Sequence, residues 1–170
     1  LSTSLAMDCV MRLTPISEIG ITNAEESPLH DGEPGGFRET LPLSRSFEHA
    51  RILMYSHDTF GLGHLRRCRT IAHALVEEYR GLNVLIISGA TIAGAFDYRA
   101  RVDFVKIPSV IKLRNGEYTS LEKHIDLHET LKMRQSIIRH TAETFEPDIF
   151  IVDKEPMGLR GEVEETLAYL

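Results

Sequence analysis

The chain has 170 residues, 42% hydrophobic and 26% charged, a balance that fits one globular domain with a substantial core. Its formal net charge of −6, with no Lys/Arg block, argues against a nucleic-acid backbone as the main partner, because phosphate binding needs clustered cations. No apolar run approaches the roughly 20 residues that cross a bilayer, no secretory signal opens the chain, and Cys9 and Cys68 have neither disulfide density nor zinc spacing, so a soluble, cytoplasmic chain without a transmembrane segment is expected.

Residues 1–49 show no sustained period of 2 or 3.6, and Pro15, Pro28, Pro34, Gly35, Gly36 and Pro42 interrupt each short apolar cluster. A mostly disordered leader is expected there, with at most a brief turn over 16–21. Order is expected from about residue 50, where Ile52-Leu53-Met54-Tyr55 form an unbroken apolar run suited to a strand buried on both faces. The turn Phe60-Gly61-Leu62-Gly63-His64 follows. Leu65, Cys68, Ile71, Ala72, Leu75 and Val76 then recur at spacings of three and four, which predicts an amphipathic helix closed by Gly81.

Val84-Leu85-Ile86-Ile87 predict a second buried strand, and a short helix is plausible over 92–98. A third strand is expected over 103–107, stopped by Pro108. Residues 109–120, with Lys112, Arg114, Asn115, Gly116, Glu117 and Tyr118, show no clear period and are expected to form a polar loop. A long helix is predicted over 121–145, with Ile125, Leu127, Leu131, Met133, Ile137, Ile138 and Ala142 as its apolar face. Asp148-Ile149-Phe150-Ile151-Val152 predict another buried strand, which runs into the charged loop Asp153-Lys154-Glu155-Pro156, and a last helix begins near Gly161.

Strands alternating with helices predict an α/β fold, a Rossmann-like parallel sheet with helices on both faces. Ligands on such sheets bind outside the carboxyl ends of the strands, so the Gly61 turn, the loop after Pro108 and the loop after Val152 are expected to line one crevice. Gly61 and Gly63 allow the backbone to bend sharply at a helix amino terminus, where unpaired N–H groups favour an anion or developing oxyanion. His64 stands beside that terminus. A neutral imidazole there suits proton abstraction from a hydroxyl or water, although tight glycine turns with a surface histidine also occur without function. Arg66 and Arg67 occupy the position where a dinucleotide fingerprint has its third glycine, which disfavours a nicotinamide dehydrogenase.

The run Ser56-His57-Asp58-Thr59-Phe60-Gly61-Leu62-Gly63-His64-Leu65-Arg66-Arg67-Cys68 resembles the opening of the GT-B glycosyltransferase superfamily, whose MurG-like members carry a glycine-rich turn ending in Gly-His. The resemblance is closer to a bacterial branch of predicted glycosyltransferases, in which Lys112-Leu113-Arg114-Asn115-Gly116-Glu117-Tyr118-Thr119 and Val152-Asp153-Lys154-Glu155-Pro156 also look like family motifs. The Gly-His-x-x-Arg-Cys string is also similar to PseG-type nucleotide-sugar hydrolases. The likeness covers 51–170 and leaves the leader unmatched. It implies that residues 50–170 are the amino-terminal half of a GT-B fold, truncated at its carboxyl end. A chain that opens on Leu1 and stops within a helix is expected to be a fragment, inactive alone.

The resemblance further implies metal-independent transfer of a sugar from a nucleotide-sugar donor to an acceptor, with no cofactor. His64 would be the catalytic residue, activating the acceptor hydroxyl, or water in a hydrolase. The donor's nucleotide would be held mainly by a second domain, while Gly61, Gly63, Arg67, Arg114, Glu117, Asp153 and Glu155 are the substrate-binding candidates. A non-catalytic binding domain remains the third alternative.

Asp58 could orient an imidazole, though such residues commonly cap turns. Asp153 and Glu155 are placed to bind sugar hydroxyls or steer the base, with Lys154 able to neutralise them, and solvated loop carboxylates are their ordinary alternative. Lys112, Arg114 and Glu117 are candidates for holding the acceptor, against a flexible exposed loop. His124 and His128 have metal-capable spacing but no evident third ligand, and Cys68 lies on the apolar side of its helix, so no metal site or thiol nucleophile is expected.

Overall fold

The computed structural model describes residues 9–13, 47–57, 61–121 and 125–170. Its strands are β1 (Cys9–Leu13), β2 (Arg51–Ser56), β3 (Asn83–Ser88), β4 (Val102–Lys106), β5 (Val110–Lys112), β6 (Tyr118–Ser120) and β7 (Ile149–Asp153). The helices are α1 (Gly63–Glu78), α2 (Leu127–Phe145) and α3 (Glu164–Tyr169), with 3-10 turns at Ala93–Ala95 and Leu159–Gly161. The main sheet has the order β1-β7-β2-β3-β4. Strands β7, β2, β3 and β4 run parallel, the expected α/β arrangement, and β1 pairs antiparallel with β7.

Adjacent residues of β2 serve opposite faces, as the pleat requires. Ile52 and Met54, with Val84 and Ile86 of β3, pack against Leu65, Cys68, Ala72 and Val76 of α1. Leu53 and Tyr55, with Ile87, Phe150 and Val152, share the other core with Ile138 and Ala142 of α2. Continuous apolar runs in the central strands are therefore explained by helical cover on both sides. Arg101 closes the far end of α1, its guanidinium donating to the carbonyls of Val76, Tyr79 and Leu82.

Several elements differ from expectation. Cys9–Leu13 lies inside the segment expected as a disordered leader; the edge of β7 provides main-chain partners that local sequence cannot. The turn expected over 16–21 lies outside the described residues. The helix expected over 92–98 shrinks to Ala93–Ala95, where the Tyr98 hydroxyl donates to the Ala93 carbonyl and its ring stacks on Phe104, drawing the chain away.

Residues 110–120 form an antiparallel hairpin, because Asn115-Gly116 is a turn pair and Gly116 takes a left-handed φ of 88°. Helix α2 starts at Leu127, where the Asp126 side chain accepts from the Glu129 N–H at 2.8 Å. Its buried stripe is Thr130, Arg134, Ile138 and Ala142, while Met133, expected on the apolar face, is exposed.

Candidate functional site

The chain passes from β2 through α1 to β3 and then β4, and returns to the other side of β2 as β7. Connections leaving the carboxyl ends of β2 and β7 thus diverge to opposite faces of the sheet. That reversal is the topological switch point, where open α/β sheets leave a crevice. His64 stands one residue into the helix after β2, and Asp153 ends β7, so the two flank this point.

They meet there. His64 Nδ1 lies 2.6 Å from Asp153 Oδ2, with both side chains largely sheltered. Arg67 Nη2 lies 3.0 Å from the same ring nitrogen, and Arg67 Nε lies 3.3 Å from Asp153 Oδ1. One nitrogen cannot both donate to the carboxylate and accept from the guanidinium. The shorter contact, to an acceptor-only carboxylate, assigns the proton to Nδ1. Arg67 is then paired with the carboxylate charge, off the line of a hydrogen bond from its Nε. This tautomer leaves the lone pair of His64 on Nε2, the arrangement that suits a general base steadied by a carboxylate.

Gly61 has a φ of 77°, a left-handed conformation that only glycine adopts without strain, and Gly63 opens α1. Apart from the adjoining chain, no described residue has an atom within 4 Å of a Cβ added at either glycine. Leu62 caps α1 without a side-chain hydrogen bond and the first turn itself holds no acid, so among the described residues the Asp153 carboxylate beside His64 is the acidic group brought to this helix start.

Sequence reasoning passed over His57. It follows β2 directly, is 2% exposed, and packs edge-on against His64 with ring centroids 5.9 Å apart. Among the described residues its buried Nδ1 has no hydrogen-bond partner. Burial, then the nearby Lys154 ammonium and His64, hold its pKa below the ordinary imidazole value, against opposing pulls from Glu155 and Glu162. The only available signal was its position at a strand end, seven residues before His64.

A second missed group is the buried network around Glu162. Arg134, fully buried on α2, donates from Nε to Glu162 Oε2 and from Nη2 to Glu162 Oε1, each at 2.6 Å, and from Nη1 to the Pro108 carbonyl. The Tyr55 hydroxyl donates to Glu162 and accepts from the Leu159 N–H. Burial first, and then Glu162, raise the Tyr55 pKa well above the ordinary phenol range, so it stays protonated. Arg134 is likewise held charged, its hydrogen bonds and charge pairing with Glu162 outweighing the loss of solvation. This network ties the β7 loop to both sheet and helix.

Among the other sequence candidates, Glu155 is exposed in the β7 loop, where its N–H bonds the Asp153 carbonyl, and Lys154 between them holds a φ of 73°. Arg114 and Glu117 occupy the exposed hairpin turn, where Asn115 Nδ2 donates to Glu117 at 2.8 Å. The hairpin reaches the β7 loop through Tyr118, whose ring lies under both Lys112 and Arg160. Asp58, Phe60 and His124 lie outside the described residues; His128 is exposed and Cys68 is in the α1 core.

Among the described residues no three metal-capable side chains cluster, and no helix is long and apolar enough to cross a membrane. A separate groove lined by Leu85, Ile137, His140, Thr141, Thr144 and Phe145 contains none of these site residues. No family model, curated protein or solved structure matches the chain.

Proposed function

We propose that this chain forms the acceptor side of a GT-B-type glycosyltransferase, with His64 as general base. The observation that carries the reading is the His64–Asp153 pair, whose Nδ1-to-carboxylate contact of 2.6 Å leaves Nε2 free to take a proton. The resemblance of the Gly61-to-His64 turn to the GT-B superfamily supplies the substrate class. His64 Nε2 takes the acceptor hydroxyl proton as the acceptor oxygen bonds to the anomeric carbon of the donor sugar. The bond from that carbon to the diphosphate oxygen breaks, and its electron pair leaves with the nucleotide diphosphate. Asp153 stabilises the imidazolium so formed.

Arg67 and the uncapped start of α1 favour an anionic part of the ligand beside the reacting group. Because the nucleotide is assigned to a second domain, the test uses the whole protein. It is incubated with a panel of nucleotide sugars, with and without alcohol acceptors, and nucleotide release is followed. Acceptor-dependent release, reduced about 10²- to 10⁴-fold in His64→Ala, is the expected result. Release of free sugar with water alone replaces transfer by hydrolysis, and unchanged turnover in His64→Ala removes this residue as the base.

A further inference from the structure

We propose that Tyr55, Arg134 and Glu162 are positioning residues of this site, a buried node that sets Asp153 against His64 and anchors the root of the hairpin. Their role rests on the proposed chemistry of His64 and adds what holds the reacting pair in register. The node reaches the carboxyl ends of all four parallel strands. Tyr55 belongs to β2, and a Cβ at Gly89, just after β3, would strike the Arg134 guanidinium. Pro108, two residues beyond β4, accepts from Arg134 Nη1 at 2.6 Å, and Leu159 and Glu162 follow β7.

A buried ion pair is a poor way to gain stability alone. Desolvation of both charges offsets most of their attraction, and apolar side chains of similar volume commonly serve as well or better. What these three supply that apolar groups cannot is direction. The Arg134 fork donates to both oxygens of Glu162 and to the Pro108 carbonyl, while the Tyr55 hydroxyl donates to Glu162 and accepts from the Leu159 N–H at 3.2 Å.

The segment so held needs outside support. Between Asp153 and Glu162, Lys154 (φ 73°), Gly158 (φ 68°), Arg160 (φ 51°) and Gly161 (φ 83°) are left-handed, and Lys154 and Arg160 carry side chains that disfavour that conformation. Such strain persists only where the surroundings over-determine it, and Lys154 adjoins Asp153 directly. His64 is reached from the other side. The rings of Tyr55, His57 and His64 pack edge to face in series, with centroids 6.5 and 5.9 Å apart. Both members of the 2.6 Å pair are thus built outward from the node, and a displacement of about 1 Å between reacting groups costs on the order of a hundredfold in rate.

The test compares the whole wild-type protein with Tyr55→Phe and with the apolar triple variant Tyr55→Phe/Arg134→Met/Glu162→Leu, each checked for folding by circular dichroism and urea unfolding. Tyr55→Phe keeps the ring and removes one hydroxyl, so it is the milder change. Two quantities are read in each: turnover of nucleotide sugars with glycerol as acceptor, and the NMR resonance of the His64 Nδ1–H, which reports its hydrogen bond to Asp153. The triple variant is expected to unfold at a urea concentration no lower than wild type. Both variants are expected to show a shifted His64 resonance and a loss of roughly tenfold to a hundredfold in kcat, with KM for glycerol changed less than about threefold.

A network kept only for stability would leave the His64 resonance and kcat of a folded variant where they are in wild type. Either quantity unmoved in a folded variant overturns the proposal, and so does loss of folding in both variants. If wild type turns over no nucleotide sugar, the glycosyl-transfer reading fails separately. The His64 resonance then decides on the node alone, a shift supporting it and an unmoved signal overturning it.

Discussion

Asp153 is the residue whose role changed most. A carboxylate just beyond a buried strand is visible as a candidate for binding sugar hydroxyls or steering the base, and the structure sets it against the His64 imidazole, 89 positions earlier. Orientation by Asp153 predicts that Asp153→Asn, which places amide donors against a ring N–H, lowers turnover by roughly 10²- to 10⁴-fold while the circular dichroism spectrum is retained. Wild-type turnover in that variant would separate the ion pair from the chemistry.

His57 has a consequence for stability as well. In the unfolded chain it takes up a proton near pH 6.5, whereas in the folded chain burial, Lys154 and His64 oppose that uptake. The unfolded state therefore binds more protons as pH falls below that value, and the folded state loses stability in the same direction. The stabilisation is complete above about pH 6.5. Thermal unfolding should show a lower Tm at pH 5 than at pH 7, and a flatter slope in His57→Phe; an unchanged slope would deny the linkage.

Among the elements, α1 was the most legible, because three-and-four spacing against a two-faced sheet leaves little choice. The hairpin after β4 was obscured by its polar composition, and only Asn115-Gly116 hinted at it. Helix α2 misled in a more instructive way. Arg134 looks like a solvent-facing residue until Glu162, 28 positions later, supplies two hydrogen bonds and a compensating charge. Removing that charge in Glu162→Gln should cost about 3–5 kcal/mol in urea unfolding, since a buried guanidinium is left without its partner.

The same guanidinium limits Gly89, where a Cβ would stand 2.6 Å from Arg134 Nη1. Gly89→Ala should destabilise by about 1–3 kcal/mol, and much less once Arg134 is replaced by Met. A full penalty in the Arg134→Met background would place its cause elsewhere.

At the scale of the molecule, the mostly parallel sheet followed from the alternation of apolar runs and helical periods. The order of strands did not, because register between distant strands depends on tertiary pairing. With β2 held between β3 and β7 and β4 at the outer edge, hydrogen exchange should be slowest in β2 and β3, and faster in β4 and the hairpin. Equal protection of β4 would mean that its outer edge is covered in solution. The insertion of β7 beside β2 also bears on biosynthesis. Ile52 pairs with Ile149, so a growing chain presents one side of β2 for nearly a hundred residues of synthesis before its neighbour is made. During that interval the nascent protein carries His64 without its carboxylate and an open apolar strand edge. That edge is exposed to mispairing until β7 fills it, and only the segment made after β7 brings Glu162 to the buried Arg134.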